Sequence, residues 1–159
     1  MNAEPPFQLA QLNVARLREP LDHPDSADFV AGLAPMNALA ESSPGFVWRL
    51  VDDGGADATA LSPFEDERII VNMSVWESLE ALRSYAFRSA HARFLRERRR
   101  WFEQASEATT VLWWVPLGHR PTVDEAKERL GLLRKDGPTA DAFTFGVAFA
   151  PTVGRTGED

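Results

Sequence analysis

The chain has 159 residues, of which 44% are hydrophobic and 26% are charged, proportions typical of a one-domain globular protein. Its 17 basic and 24 acidic residues give a net charge of −7, which argues against nucleic acid or anionic membrane as the main partner, because both are bound by basic surfaces. The absence of cysteine excludes disulfides, thiolate metal sites and cysteine nucleophiles.

The chain carries no sequence signal for a membrane or for secretion. No apolar run approaches the roughly 20 residues that span a bilayer. Residues 1–6 lack the basic start and apolar core of a signal peptide, so we expect a cytoplasmic protein. We expect one domain over residues 7–150, with flexible tails at 1–6 and 151–159.

Five segments alternate their side chains with a period of two, which predicts β-strands. They are residues 7–12, ending near 13–14, and residues 46–51, 69–76, 109–115 and 142–149. The second and third should pair as an antiparallel hairpin across a turn at 52–55 and a longer connection at 56–66. Strict alternation places Phe46 and Trp48 on one face of the second strand and Arg49 on the other.

Three other segments carry apolar residues at every third or fourth position, which predicts helices. The first begins at Asp25 or Ser26, either of which can cap it, and stops at residues 42–45. Pro35 lies inside this pattern, so we expect a kink or two helical pieces joined there.

The second predicted helix is long and runs from Ser78 to about Phe102. The Ser78 hydroxyl can accept a hydrogen bond from an otherwise unpaired amide of the first turn. Ser74 followed by Glu77 forms a rival capping box. We favour Ser78, because a helix that began at Ser74 would cut the preceding strand short.

The chain order is therefore β-α-β-β-α-β, followed by an extra helix and the last strand. The extra helix begins at Thr122, which forms a capping box with Glu125, and it ends at Gly137. This order predicts a ferredoxin-like α+β sandwich, an antiparallel sheet with helices on one face. The other face would be left bare, and a second subunit is the most economical cover for its apolar residues.

Residues 71–82, together with 88–91, resemble the dimeric α/β-barrel superfamily, which includes antibiotic-biosynthesis monooxygenases and small haem-degrading monooxygenases. Further stretches resemble a bacterial family known only as a domain of unknown function (number 3291). They are residues 11–17, 43–50, 113–122, and 137–139 with 142–145. The resemblance implies a homodimer whose two sheets face each other around a shared barrel.

The haem-degrading branch surrounds its cofactor with an asparagine, a tryptophan and a histidine. Asn13 and His91 stand at the matching places for the first and last of these, and Tyr85 stands nearest the tryptophan. His91 would then ligate the iron. Arg88, Arg93 or Arg96 could pair with the haem propionates. The alternative is a core-edge histidine beside a solvated face of arginines.

The loop after the fourth strand contains His119 and Arg120. His119 could serve as a general acid or base, and Arg120 could hold a carboxylate or phenolate oxygen. The alternative is a structural turn in which Gly118 supplies backbone freedom and the two side chains bond backbone carbonyls.

The tryptophans of the predicted strands could line an apolar cavity for a flat aromatic ligand. They are Trp48, Trp76, Trp113 and Trp114. The last two are adjacent in one strand and point to opposite faces, so at least one of them packs under helices. Arg49 and Asn72 are polar residues within strands, and they become ligand contacts if they face inward.

Three functions follow as hypotheses. The first is a cofactor-independent monooxygenase-like enzyme acting on an aromatic or polyketide-like substrate, with Asn13, Asn72 or His119 stabilising its anion. The second is a haem-binding or haem-degrading protein that uses His91. The third is a non-catalytic ligand-binding or structural dimer. No sequence motif for a metal site is present.

Overall fold

The computed structural model of the protein describes residues 6–51, 66–89 and 91–151. The predicted turn at 52–55 lies outside these residues, as do nearly all of the connection at 56–66 and most of the two predicted tails. Within the described ranges, no helix is both long enough and apolar enough to cross a membrane.

Four strands form an antiparallel sheet in the order β2-β3-β1-β4. They are β1 (Phe7–Arg16), β2 (Phe46–Arg49), β3 (Ile69–Trp76) and β4 (Thr110–Pro116). With helices between β1 and β2 and between β3 and β4, this is an α+β fold with a ferredoxin-like strand order. The predicted antiparallel pairing of the second and third strands is confirmed.

The helix α1 (Ala27–Ser42) follows a short 3-10 turn at Pro24–Ser26. It continues through Pro35 as one helix, so the alternative of two helical pieces is wrong. Pro35 and Ala31 are both exposed. Water can therefore reach the Ala31 carbonyl, which loses its helical donor to the proline.

Ser78 caps α2 (Leu79–Arg88), and its hydroxyl accepts a hydrogen bond from the Ala81 amide at 3.1 Å. The rival start at Ser74 is wrong, because Ser74 lies within β3. These positions confirm that the chain changes from strand to helix between Trp76 and Leu79.

The predicted single helix to Phe102 is wrong, because α2 stops at Arg88 and is followed by α3 (His91–Arg96) and a 3-10 turn at Arg98–Arg100. Ser89 is extended, with φ −110° and ψ −174°. Its hydroxyl donates to the Tyr85 carbonyl and accepts from the His91 amide at 3.1 Å. These local side-chain bonds replace helical backbone bonds and end α2.

Different helices cover the two faces of the sheet. One face packs on α4 (Val123–Asp136), where Ala126, Leu130 and Leu133 are at most 4% exposed. The strand residues buried on this face are Ala10, Leu12, Val14, Val71, Met73, Val75, Val111, Trp113 and Val115. The prediction that one face is left bare is therefore wrong for the described part of the chain. The homodimer stays a prediction.

The segment after α4 does not form the strand predicted at 142–149. Phe143 makes an isolated bridge to Leu112, with both backbone bonds at 2.8 Å. The Thr144 hydroxyl then accepts from the Val147 amide at 3.0 Å, which turns the chain. Phe143 and Phe145 pack on the sheet face opposite α4. The turn breaks the alternation on which the strand was predicted.

Candidate active site

A cavity of about 330 Å³ lies between the sheet and α1, α2 and α3, on the face opposite α4. Polar side chains from all four strands form its floor, in two rows of directly paired residues. The first row is Arg49, Ser74 and Gln11, and the second is Asn72, Asn13 and Thr110. The opposite face of the same strands is apolar. Because polar groups on a packing face cost free energy, this polar floor makes the cavity a candidate binding site.

Gln11 holds Asn72 in one orientation. The Gln11 Nε2 atom donates to Asn72 Oδ1 at 2.7 Å and to Ser74 Oγ at 2.8 Å, and Trp76 Nε1 donates to the same hydroxyl at 2.8 Å. Gln11 and Ser74 are each 6% exposed, whereas Asn72 is exposed. With its oxygen held by Gln11, Asn72 directs its amide NH2 toward the cavity as a donor.

Asn13 presents a hydrogen-bond acceptor to the cavity, where Asn72 presents a donor. Its Nδ2 atom donates to Thr110 Oγ1 at 2.7 Å. Its carbonyl oxygen therefore serves as an acceptor beside the Asn72 donor. A ligand with a neighbouring hydroxyl and carbonyl group would match both amides.

Aromatic rings form the wall at one end of the cavity. Trp76 stacks on Tyr85 with ring centroids 5.1 Å apart, and the Tyr85 ring lies 4.7 Å from His91. The Tyr85 hydroxyl donates to the Met36 carbonyl at 3.2 Å. Burial raises the pKa of Tyr85 to about 12, against the opposing charge of Arg49, so the phenol is neutral at physiological pH.

Burial also keeps His91 neutral. Desolvation lowers the pKa of His91, and a hydrogen bond with the Ala86 carbonyl, at 3.3 Å from Nδ1, opposes this effect only partly. When Nδ1 donates to Ala86, Nε2 is the nitrogen with the basic lone pair. A neutral imidazole of this kind can accept a proton from a ligand.

Arg49 joins the floor of the cavity to α1. Its side chain is 14% exposed, and Nε donates to Glu41 Oε2 at 2.8 Å. The ion pair thus positions β2 against α1 beside the cavity.

Six of the candidate residues predicted from the sequence meet at this cavity, and the others lie elsewhere. Those that line it are Asn13, Arg49, Asn72, Trp76, Tyr85 and His91. His119 lies apart from Asn13 and Asn72, with Trp48 and Arg120 at a separate pocket of about 140 Å³.

A β-bulge explains the misplacement of Trp48. The register shifts between Phe46 and Trp48, so that Phe46 pairs with Trp76 but Trp48 pairs with Val75. Phe46 and Arg49 therefore share the cavity face, whereas Trp48 packs on the α4 side. The prediction of strict alternation on β2 is wrong for this reason.

The second pocket contains bonds that anchor its histidine. His119 Nε2 lies 2.7 Å from Glu125 Oε1, and Trp113 Nε1 donates to Glu125 Oε2 at 2.9 Å. Desolvation alone would raise the pKa of Glu125, but the bonds from His119 and Trp113 outweigh it and lower the pKa. The Arg120 guanidinium lies 5.8 Å from the Trp48 ring centroid. These contacts fit a structural turn that ties the loop to α4.

Trp113 and Trp114 point to opposite faces, as predicted. Trp113 is fully buried on the α4 side, and Trp114 Nε1 donates to the Phe149 carbonyl at 2.7 Å. Neither ring lines the cavity.

The sequence analysis did not identify five polar residues that line the cavity. They are Gln11, Asn37, Ser74, Arg98 and Thr110. The period of two could have found Gln11 and Ser74, because each stands two positions from an asparagine that was predicted.

The residues present do not fit the haem site that the resemblance implies. Arg88 pairs with Glu80 at 2.8 Å and Arg93 with Glu97 at 3.7 Å, and both arginines are well exposed outside the cavity. The Tyr85 ring lies 4.7 Å from the His91 ring, tilted by 36°, on the side where the macrocycle would have to approach that histidine. Among the described residues, no group of three or more histidine, aspartate or glutamate side chains is arranged to hold a metal ion.

A family model described as Domain of unknown function (DUF3291) matches residues 8–158. The chain belongs to this family. The membership predicted from the sequence is thereby confirmed. No curated protein matches this DUF3291 chain.

The DUF3291 chain is similar to several solved structures at low identity. PA3566 from Pseudomonas aeruginosa has 11% identity and a TM-score of 0.49, over 76% of this chain and 100% of that one. NE2512, a protein of unknown function from Nitrosomonas europaea, has 13% identity and a TM-score of 0.45, over 74% and 95%. SnoaB, a cofactor-independent oxygenase from Streptomyces nogalater, has 16% identity and a TM-score of 0.44, over 73% and 96%. Similarities this low establish no shared activity.

Proposed function

We propose that the cavity binds a small, planar aromatic molecule of the polyketide type and oxidises it as a cofactor-independent monooxygenase. The observation that carries the proposal is the pairing of Asn13 and Asn72, an acceptor beside a donor, under the aromatic wall of Trp76 and Tyr85. Such a site holds a flat ring by its faces and fixes one oxygenated edge by hydrogen bonds.

The proposed chemistry uses the ligand itself as the reductant of dioxygen. With an anthrone as substrate, His91 takes a proton from the acidic methylene carbon, and the Asn72 amide donates to the oxygen on which negative charge develops. The carbanion then reacts with dioxygen. The methylene carbon becomes a carbonyl, one oxygen atom enters it, and the other leaves as water. The substrate supplies all the electrons, so no flavin or metal is needed.

Oxygen uptake with an anthrone tests the proposal directly. We expect uptake well above the spontaneous rate, and a loss of about 100-fold in kcat/KM for Asn72→Ala, by analogy with the removal of one oxyanion donor. His91→Gln should lower the rate as well. His119→Gln is the matched control, because His119 lies at the other pocket, and its rate should equal that of the unaltered protein.

Binding measured separately from turnover distinguishes the outcomes. If an anthraquinone quenches tryptophan fluorescence but an anthrone causes no oxygen uptake, the protein binds an aromatic ligand and the proposed oxygenase activity is wrong. Absence of both quenching and uptake would contradict the whole proposal.

A homodimer belongs to the same proposal and follows from the family resemblance. Because α4 buries part of the sheet face expected to meet a partner, the dimer contact would include the outer surface of α4. The mass measured by light scattering at micromolar protein concentration tests the homodimer. The mass of a monomer would contradict the homodimer and leave the proposed binding at the cavity unaffected.

A further inference from the structure

Three consecutive arginines after α3 have three different surroundings. Arg100 pairs with Asp28 and Glu97, both at 2.7 Å. Arg99 is exposed, and its carbonyl accepts a bond from Arg18 at 2.9 Å. Arg98 is partly buried and lines the cavity. Only one residue of this basic run is thus turned toward the candidate site.

The backbone of Arg98 is fixed by two buried aromatic residues. Its carbonyl accepts hydrogen bonds from the amides of Trp101 at 3.1 Å and Phe102 at 3.0 Å. Trp101 is 3% exposed and Phe102 is 9% exposed, so the turn is anchored in the core. Phe102 and Phe29, 5.1 Å apart, line the same cavity at the end away from the Trp76 and Tyr85 stack.

No acidic side chain in the described part of the chain forms an ion pair with Arg98. Among ion pairs between described residues, Arg49 is matched by Glu41, but none includes Arg98. No described aspartate or glutamate lines the cavity. A protein of net charge −7 therefore has a positive charge in its candidate site. Partial burial strengthens the attraction of such a charge for an anion.

We propose that the natural ligand is an aromatic carboxylate whose carboxylate group pairs with Arg98. This inference rests on the proposed function, because it adds a charged group to the aromatic ligand proposed there. A guanidinium and a carboxylate can form two parallel hydrogen bonds, which would fix the ligand along the cavity. The rings would then lie toward Trp76 and Tyr85, with the oxygenated edge over Asn13 and Asn72.

Two probes of nearly equal shape, 2-naphthoate and 2-naphthamide, test the charge preference. Titration calorimetry at neutral pH should find naphthoate bound at least about tenfold more tightly, as expected for a hydrogen bond to a charged group. The preference should vanish in Arg98→Gln and persist in Arg99→Gln, the matched neighbour on the exposed side. Retained binding of naphthamide by Arg98→Gln shows that this variant is folded.

Each other outcome has one meaning. Equal affinity of the unaltered protein for the two probes overturns the carboxylate inference and leaves the aromatic site in place. Failure of both probes to bind removes the proposed function as well. A preference that survives in Arg98→Gln but disappears in Arg49→Gln overturns the assignment to Arg98.

Discussion

Asn13 and Asn72 face each other across β1 and β3 with opposite hydrogen-bonding polarity toward one cavity. Neither orientation is intrinsic to an asparagine. Thr110 holds the amide nitrogen of Asn13, and Gln11 holds the amide oxygen of Asn72. The donor and the acceptor that the two asparagines present to the cavity are therefore set by neighbouring side chains on the same face of the sheet.

Gln11→Leu should weaken ligand binding without unfolding the protein. The Asn72 amide loses the bond that orients it, so the affinity for 2-naphthamide should fall by about tenfold. The free energy of unfolding should fall by about 1–2 kcal/mol, because Ser74 keeps its bond from Trp76. Calorimetry and urea denaturation measure the two effects.

Gln8→Leu is the matched control on the same strand, because Gln8 lines the other pocket. Its affinity for the probe should be unchanged. Equal losses in the two variants would mean that Gln11 does not orient Asn72.

Tyr85 is the single tyrosine of the chain, so its ionisation can be followed by ultraviolet absorbance without ambiguity. Its pKa is raised from 10.0 to about 12 by burial. The unfolded chain loses this proton near 10.0 and the folded chain only near 12. The stabilisation is therefore complete below pH 10 and is lost as the pH rises from about 10 to 12.

Tyr85→Phe should flatten the fall in the free energy of unfolding over that pH range, because the other titrating groups are common to both proteins. Tyrosinate that forms in the folded protein with a midpoint near 10.0 would contradict the buried position of the ring.

Gly45 lies where β2 approaches the first turn of α2, and a side chain at this position would be strained. Its φ is +85°, and an added Cβ would stand 2.4 Å from the Ala81 Cβ atom. Gly45→Ala should therefore cost about 2–5 kcal/mol, the sum of backbone strain and overpacking. Gly118→Ala has the same φ with no atom within 4 Å, so it should cost only about 1–2 kcal/mol. Denaturant unfolding of both variants measures the difference. Equal losses in the free energy of unfolding would show that Ala81 shifts to accommodate the added Cβ atom.

Local patterns in the sequence were sufficient to predict several elements of this fold. Alternation located β3, and the hydroxyls of Ser78 and Thr122 marked the starts of α2 and α4. Caps are visible in a sequence because the hydrogen bonds that make them join residues only three apart. The break at Ser89 was missed although it too is local, because serine within a helical pattern competes with the backbone only in some contexts.

The sequence by itself determined four of the five predicted strands, the starts of α2 and α4 and the membership of the family, since each depends on neighbours in the chain or on residue identities. Only the tertiary structure decided which polar residues meet. The register of β1 against β3 and β4 brought Asn13 beside Asn72 and Thr110, and the bulge in β2 sent Trp48 to the other face. Register is a long-range property, because a shift by one residue exchanges the faces of a strand without changing its local pattern.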